Sequence, residues 1–386
     1  MSVHLSNKRL IAVLTGSRGE WGYIRPILRF IDQAPDLDYV IIATNMHLLP
    51  EFGMTVHEIE RDGFRVAERV YMTLDGYTAA TMTKSLAILL LELPTILQRL
   101  KPDILLLAGD RGEQLMGAIA GLHLGIAVAH IQAGELTGNV DGVVRHSITK
   151  LAHIHFAANE EFAERVRKMG EQDFRIFMSG APLVDELVAE SVTSKEVIYE
   201  QYRLDPDKPF ILAAQHPVTE EEQAAGEQIA ETLHALAEIG WETIFIYPNA
   251  DAGSELIRVQ LGAQKRPNIR MFRNVPRQDY LGLMKHATLM VGNSSSGIME
   301  APTFSTPAVN IGIRQNGRPQ ACNVINVGYA RRDIADAIRQ AASREFREQA
   351  KLAVNPYGDG HASERIVEVL RTISIDEKLL NKVMAY

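Results

Sequence analysis

Short, continuous apolar runs alternate along the chain with stretches whose apolar residues recur every three or four positions. "LIAVL" (10–14) leads into "WGYIRPILRFIDQA" (21–34), and "YVIIAT" (39–44) follows. "ILLLAGD" (104–110) leads into "RGEQLMGAIAGLHLG", where Leu115, Met116, Ile119 and Leu122 share one helical face. "IAVAHI", "IHFAAN" and "FRIFMSG" come next. Unbroken apolar strands are buried on both faces, so their alternation with helices predicts parallel sheets covered by helices. The charged, proline-bearing segment "SVTSKEVIYEQYRLDPDKP" (191–209) interrupts the rhythm. It then restarts: "FILAAQH", a helix expected over Glu221–Ile239, "TIFIYPN", "IRMFRNV", "TLMVGN" and "AVNIG". Two doubly wound, Rossmann-like α/β domains are expected, over 1–185 and 186–365, with the boundary near 181–205. The tail from His361 to Tyr386 reads as helical, with Ile366, Val369, Leu370 and Ile373 on one side, and is expected to dock on a domain.

Composition narrows the picture. At 386 residues and 46% hydrophobic, the chain is too long for one comfortable core. A formal net charge of -8 argues against a nucleic-acid binder, though locally placed arginines still permit anionic ligands. The single cysteine, Cys322, allows neither an internal disulfide nor a cysteine-based zinc site. "HIH" (153–155) lacks metal-ligand spacing, so no catalytic metal is expected. The first apolar run reads as a strand, not a signal peptide. No stretch reads as the roughly 20 apolar residues of a membrane helix. A soluble cytoplasmic protein is the expectation, with no membrane and no nucleic-acid partner.

Ligands of open parallel sheets bind outside the carboxyl ends of strands, and polar residues cluster there. "TGSRGEWG" (15–22) brings Gly16, Gly19, Gly22 and Arg18 to a helix start; an anion site and a plain glycine-bearing turn both fit. "AGDRGEQ" places Asp110, Arg111 and Glu113 at a strand end, with helix capping by Asp110 as the plainer reading. "AHIQAGELTGNVDGVVRHSITKLAHIHF" holds His130, Glu135, Thr137, Asp141, Arg145, His146 and Lys150. Asp141 and Arg145 stand one helical turn apart, so a salt-bridged surface helix is the plain alternative. In the second half, His216 and Thr219 follow one strand; Asn249, Asp251 and Ser254 follow another; Arg314 and Arg318 follow the last. "LMVGNSSSGIMEAP" leaves a strand through Ser294, Ser295, Ser296 and Gly297 and enters a helix bearing Glu300. Hydroxyls and successive N–H groups at a helix start suit phosphate. Helix capping is the local alternative.

Taken together, "TGSRGEWGYIRPIL", "GDRGE", "HIQAGELTGNVDGVVRHSITKLAHIHF", "QHPVT", "PNADAGS", "NVP", "GNSSSGIMEAP" and "VNIGIRQNGR" resemble the hydrolysing UDP-N-acetylglucosamine 2-epimerases of sialic- and legionaminic-acid synthesis. The motifs run in family order from residue 15 to about 328. The resemblance implies a GT-B-like fold with the active site in the cleft between two domains and 366–386 packed back on the first. It implies elimination of UDP from a 2-acetamido sugar nucleotide to a 2-acetamidoglycal, then addition of water and release of the C2-inverted free sugar. It implies no cofactor, and a homodimer or homotetramer. It also implies Asp110, Glu135 and Asp141 as essential acids, the first two moving protons. Arg18 and Arg111 would hold phosphate or sugar. His216, Asn249, Ser294, Ser295, Ser296, Gly297 and Arg314 would hold the nucleotide, with Glu300 on ribose and uracil near "RMFRN". Arg145 and His146 would shape the active-site loop.

Three departures touch the sugar end. Gly142 stands where relatives often have a second acid, Pro319 where they often have Glu, and "GEWG" replaces the usual Ala-Asp-Tyr-Gly type of segment. Rival readings are a non-hydrolysing 2-epimerase, a GT-B glycosyltransferase and a catalytically silent nucleotide-sugar sensor.

Overall fold

A computed structural model describes residues 8–75, 78–136, 140–189, 192–248, 253–273 and 275–386, without the side chains of 79, 140, 141, 219 and 220. It divides into two compact units, 1–186 with 357–386, and 187–356.

Unit 1 is built on seven strands: β1 (Arg9–Thr15), β2 (Leu37–Thr44), β3 (Val66–Val70), β4 (Ile104–Ala108), β5 (Ala127–Ile131), β6 (Ile154–Ala157) and β7 (Ile176–Met178). Their order is β3-β2-β1-β4-β5-β6-β7, and every pairing is parallel. "ILLLA" and "AVAHI" are buried at every position, as strands covered on both faces must be. Helix Arg18–Gln33 starts in a capping box: Ser17 accepts from the Glu20 backbone while the Glu20 carboxylate accepts from Gly16 and Ser17. The C-terminal helix Ala362–Thr372 buries Ile366, Val367 and Leu370 in the same core as Ile24, Ile27 and Ile31. A short helix, Glu377–Leu380, follows, so the tail is two helices and not one.

Unit 2 holds β8 (Phe210–Ala214), β9 (Glu242–Ile246), β10 (Ile269–Phe272), β11 (Leu289–Gly292), β12 (Ala308–Ile311) and β13 (Val324–Val327). Their order, β10-β9-β8-β11-β12-β13, is also all parallel. Both sheets are Rossmann-like. Each has a topological switch point where consecutive connections leave in opposite directions: between β1 and β4 in unit 1, and between β8 and β11 in unit 2. Sites are expected outside the carboxyl ends of those strands.

Several elements differ from expectation. The helix expected from Glu221 begins at Ala225; a 3-10 segment, Thr219–Ala224, precedes it with a break at Glu221. β3 ("VAERV") and β13 are edge strands whose partial exposure hides the apolar signal. Helix Ala79–Leu100 packs Leu89, Leu93, Ile96 and Leu97 into the unit 1 core. Contrary to expectation, its span Ala80–Leu100 is long and apolar enough to cross a membrane by length and composition alone.

Candidate functional site

At the unit 1 switch point, buried charges gather. Asp110 follows β4, Glu135 lies in the turn after β5, and Arg145 projects from helix Val140–Leu151. Arg145, 3% exposed, ion-pairs with Asp110 and stands 3.5 Å from Glu135 Oε2. The turn is fixed from both sides: Gln132 Nε2 donates to Glu135 Oε2 at 3.0 Å, and Arg145 Nη1 donates to the Gln132 carbonyl at 3.3 Å. Gln132 adopts a left-handed φ of 66°, an uncommon conformation for a non-glycine residue. Gly134 follows with φ 77°, and a Cβ there would stand 2.2 Å from the Phe162 carbonyl oxygen, so only glycine fits. Asp110 therefore does not cap the next helix; the cap position belongs to Arg111, with no side-chain cap. Arg145 reaches inward to Asp110 and Glu135, which corrects the surface-helix alternative.

A second carboxylate pair, Glu20 and Glu113, lies beside the first. Both are buried, at 5% and 2% exposure. Arg111 Nε is 3.5 Å from Glu113 Oε2 and 3.9 Å from Glu20 Oε1. Asn45, just after β2, donates to Glu113. Burial, together with the negative charge of Glu113, pushes the Glu20 carboxyl up to about 8. Glu20 Oε1 has no hydrogen-bond partner among the described residues. Sequence reasoning missed Glu20, although the Ser17-x-x-Glu20 capping signature was visible. Arg111 and Glu113 also border a cavity of about 300 Å³ lined by Asn45, Met72, Thr73 and Leu86.

The remaining unit 1 residues divide clearly. Arg18 is exposed and bonds Glu58 at 2.7 Å. His146 is half-buried; burial and the Arg145 charge lower its pKa, and its Nδ1 lacks a partner among the described residues. The other histidines of this stretch serve the fold. His130 Nε2 bonds the Gly109 carbonyl at 2.8 Å, and burial lowers its pKa to about 3. His153 Nδ1 accepts from Val128 N, and His155 bonds Glu171. Asp141 lies on helix Val140–Leu151, but its side chain is outside the described residues, as are Thr137, Gly138, Asn249 and Asp251.

At the unit 2 switch point the chemistry is amide and hydroxyl. Asn293 Oδ1 accepts from His216 N at 2.7 Å, and its Nδ2 donates to the His216 carbonyl at 2.8 Å. Arg314 Nη1 and Gln315 Nε2 donate to the Asn293 carbonyl at 3.2 and 2.8 Å. Gly292 (φ 131°) permits this approach; a Cβ there would stand 2.0 Å from the Ala214 carbonyl oxygen. Ser294, Ser295, Ser296 and Gly297 follow directly. Helix Ser296–Met299 is a single turn without a side-chain cap. The cap residue Ser295 makes no side-chain bond, and Ser294 Oγ accepts from Ser296 N at 3.4 Å, so of the capping alternative one long bond remains; a single turn carries little macrodipole. What remains is a run of hydroxyls and individual N–H groups. Glu300, 7% exposed, accepts from Arg277 at 3.1 Å. Burial and the Glu300 charge push the Tyr280 phenol up to about 12, so it stays protonated. Arg277 and Tyr280 were not singled out from sequence, although they open helix Arg277–His286, which starts five residues after the end of β10. Arg318 contacts Met299 Sδ, and Ser254 opens helix Ser254–Ala263.

Known proteins are similar to this chain in sequence and in fold. The model of the family described as UDP-N-acetylglucosamine 2-epimerase matches residues 29–371. A UDP-N,N'-diacetylbacillosamine 2-epimerase (hydrolyzing) of Legionella pneumophila is 37% identical over 98% of this chain and 100% of its own. A UDP-N-acetylglucosamine 2-epimerase of Neisseria meningitidis is 35% identical over 87% of this chain and 88% of its own. The crystal structure of the UDP-GlcNAc 2-epimerase from Neisseria meningitidis bound to UDP-GlcNAc superposes with a TM-score of 0.80 at 18% identity, covering 94% of this chain and 99% of that one. The GT-B-like fold class, two Rossmann-like domains, is thereby shared. The chain belongs to the UDP-N-acetylglucosamine 2-epimerase family.

Proposed function

We propose that the chain is a hydrolysing 2-epimerase acting on a UDP-linked 2-acetamido sugar. The substrate is UDP-N-acetylglucosamine or a 2,4-diacetamido-trideoxy analogue. The product is N-acetylmannosamine or its counterpart, a precursor for nonulosonic-acid synthesis. The supporting observation is the convergence of Asp110 and Glu135 on the buried Arg145 at the unit 1 switch point.

Elimination of UDP requires a base for a weakly acidic C2 proton. Addition of water to the glycal then requires an acid that protonates C2 from the opposite face. Asp110 and Glu135 carry these two roles, held in place by Arg145 and Gln132. A positioned acid or base typically supplies roughly 10²–10⁴ in rate. Asp141 is the third acid of the set. Arg111 and Arg18 answer the charge on the departing diphosphate. Unit 2 grips the nucleotide: His216, Asn249, Arg314 and the Ser294–Gly297 run take the diphosphate, and Glu300, steadied by Arg277, takes the ribose hydroxyls. The hydrolysing assignment is supported by "GSRGE" and "GDRGE" and by the similarity to the Legionella enzyme over the whole chain.

The test is incubation with each sugar nucleotide in the absence of acceptor. The expected outcome is UDP and a free manno-configured sugar in equal amounts. An intact, interconverted sugar nucleotide would instead establish the non-hydrolysing reaction.

A further inference from the structure

The C-terminal tail of unit 1 ends on the helix that carries Arg145. Lys382, with a side chain 12% exposed, donates to the carbonyls of Thr149, Lys150 and Ala152 at 2.9, 2.8 and 2.6 Å. These acceptors close the C-terminus of helix Val140–Leu151, where backbone carbonyls have no partner within the helix. A cation at that end also suits the helix dipole. Lys382 Nζ further pairs with Glu171 at 2.6 Å, and Glu171 binds Lys150 of the same helix at 2.6 Å and His155 of β6 at 3.0 Å. Burial pushes the Glu171 carboxyl up, but the bonds from His155, Lys150 and Lys382 outweigh it and hold it near 2. The tail is fixed on both sides of Lys382. Arg175, fully buried, donates to the Leu379 and Lys378 carbonyls at 2.5 and 2.8 Å, and Ala385 N donates to the Gly170 carbonyl at 3.0 Å.

We propose that Lys382 is a positioning residue for the reaction: through the C-terminal carbonyls of helix Val140–Leu151 it sets the axial position of Arg145, and so the spacing of Asp110 and Glu135. The inference rests on the 2-epimerase reading for its catalytic consequence. The latch itself stands on the hydrogen bonds alone. Thr149 couples the two ends of this arrangement: its carbonyl binds Lys382, while its hydroxyl bonds the Arg145 carbonyl at 3.1 Å and His130 at 3.3 Å. A shift of about 1 Å in reacting groups can cost on the order of a hundredfold in rate.

The experiment compares wild type, Lys382→Met and Lys382→Arg in the full chain. Three readouts are taken: turnover of UDP-N-acetylglucosamine and the 2,4-diacetamido analogue, UDP affinity by calorimetry, and amide hydrogen exchange. Lys382→Met is expected to lower kcat by roughly 10- to 100-fold, with UDP affinity within twofold of wild type. Faster exchange is expected in 142–151 and not in helix Ala225–Ile239 of unit 2. Lys382→Arg, which keeps the charge and the donors, is expected to recover most of kcat. A Lys382→Met protein with wild-type kcat, or one whose UDP affinity falls in step with kcat, overturns the proposal. If Lys382→Met does not fold, Lys382→Gln and Lys382→Arg decide it: equal kcat in these two overturns it. Wild type that leaves both sugar nucleotides intact overturns the proposed reaction and, with it, the catalytic role of the latch. Hydrogen exchange still reports whether the latch exists.

Discussion

The two switch points occupy equivalent places in similar sheets, yet they are furnished differently. At the end of β4 in unit 1, four carboxylates (Glu20, Asp110, Glu113, Glu135) meet two guanidinium groups, Arg111 and Arg145, mostly out of solvent. At the end of β11 in unit 2, the corresponding ground is held by Asn293, His216, Arg314, Gln315 and the serine run, with the Arg277–Glu300 ion pair at its margin. Buried charge is expensive to maintain unless it is paired. On the proposed function, its concentration in unit 1 belongs with proton transfer, and the donors of unit 2, Arg314 among them, belong with a ligand that brings its own negative charge. The same fold thus offers two sites whose chemistry is decided by a few side chains after the strands.

The sharpest break of this contrast comes from Glu135→Gln. Turnover is expected to fall by roughly 10²–10⁴, the contribution of a positioned proton-transfer group, with UDP affinity by calorimetry unchanged. Arg145→Met comes next. It removes the buried cation that pairs with two carboxylates and is expected to remove about 3–5 kcal/mol of stability along with activity, read as a lowered denaturant midpoint for unit 1. In unit 2, Asn293→Ala should weaken UDP binding by about tenfold, through loss of hydrogen bonds worth about 1–3 kcal/mol when a buried partner is left unsatisfied. Here kcat for bound substrate is expected to change little.

How much of this was legible beforehand varied by element. The fully apolar strands and the serine break after β11 were plain, because burial on both faces leaves no polar residue to blur the pattern. Asp110 and Glu135 stood out through the family motifs that contain them, each a few residues past the end of such a strand. The clamp formed by Arg145 was hidden: its helical spacing from Asp141 offered a local partner, and only the fold brings it to Asp110. The pairing of Glu20 with Glu113 was hidden for the same reason, since it arises from the adjacency of β1 and β4, which are distant in sequence. The helix after the serines reads as short, since Pro302 stops it; its break into one turn, Ser296–Met299, and a 3-10 turn, Ala301–Phe304, leaves no periodic signal.

Glu20 gives a smaller, pH-dependent test. Its pKa is raised from 4.5 to about 8 in the folded state, so the folded protein holds a proton that the unfolded chain releases. The associated stability is fully present below about pH 4.5 and is lost as pH rises through about 8. Melting temperature followed over this range should decline less steeply in Glu20→Gln, which keeps an oxygen acceptor for Gly16 and Ser17. The smallest effect is expected at the exposed Arg18–Glu58 pair, where Glu58→Ala should cost under about 1 kcal/mol.

The most direct test of the division between the units is the reaction run in deuterated water, with C2 of the released sugar read by NMR. Wild type is predicted to give product deuterated at C2, and Glu135→Gln is predicted to give none while still binding UDP. Free sugar that retains its original C2 hydrogen would mean simple hydrolysis, and would contradict proton transfer by the unit 1 carboxylates.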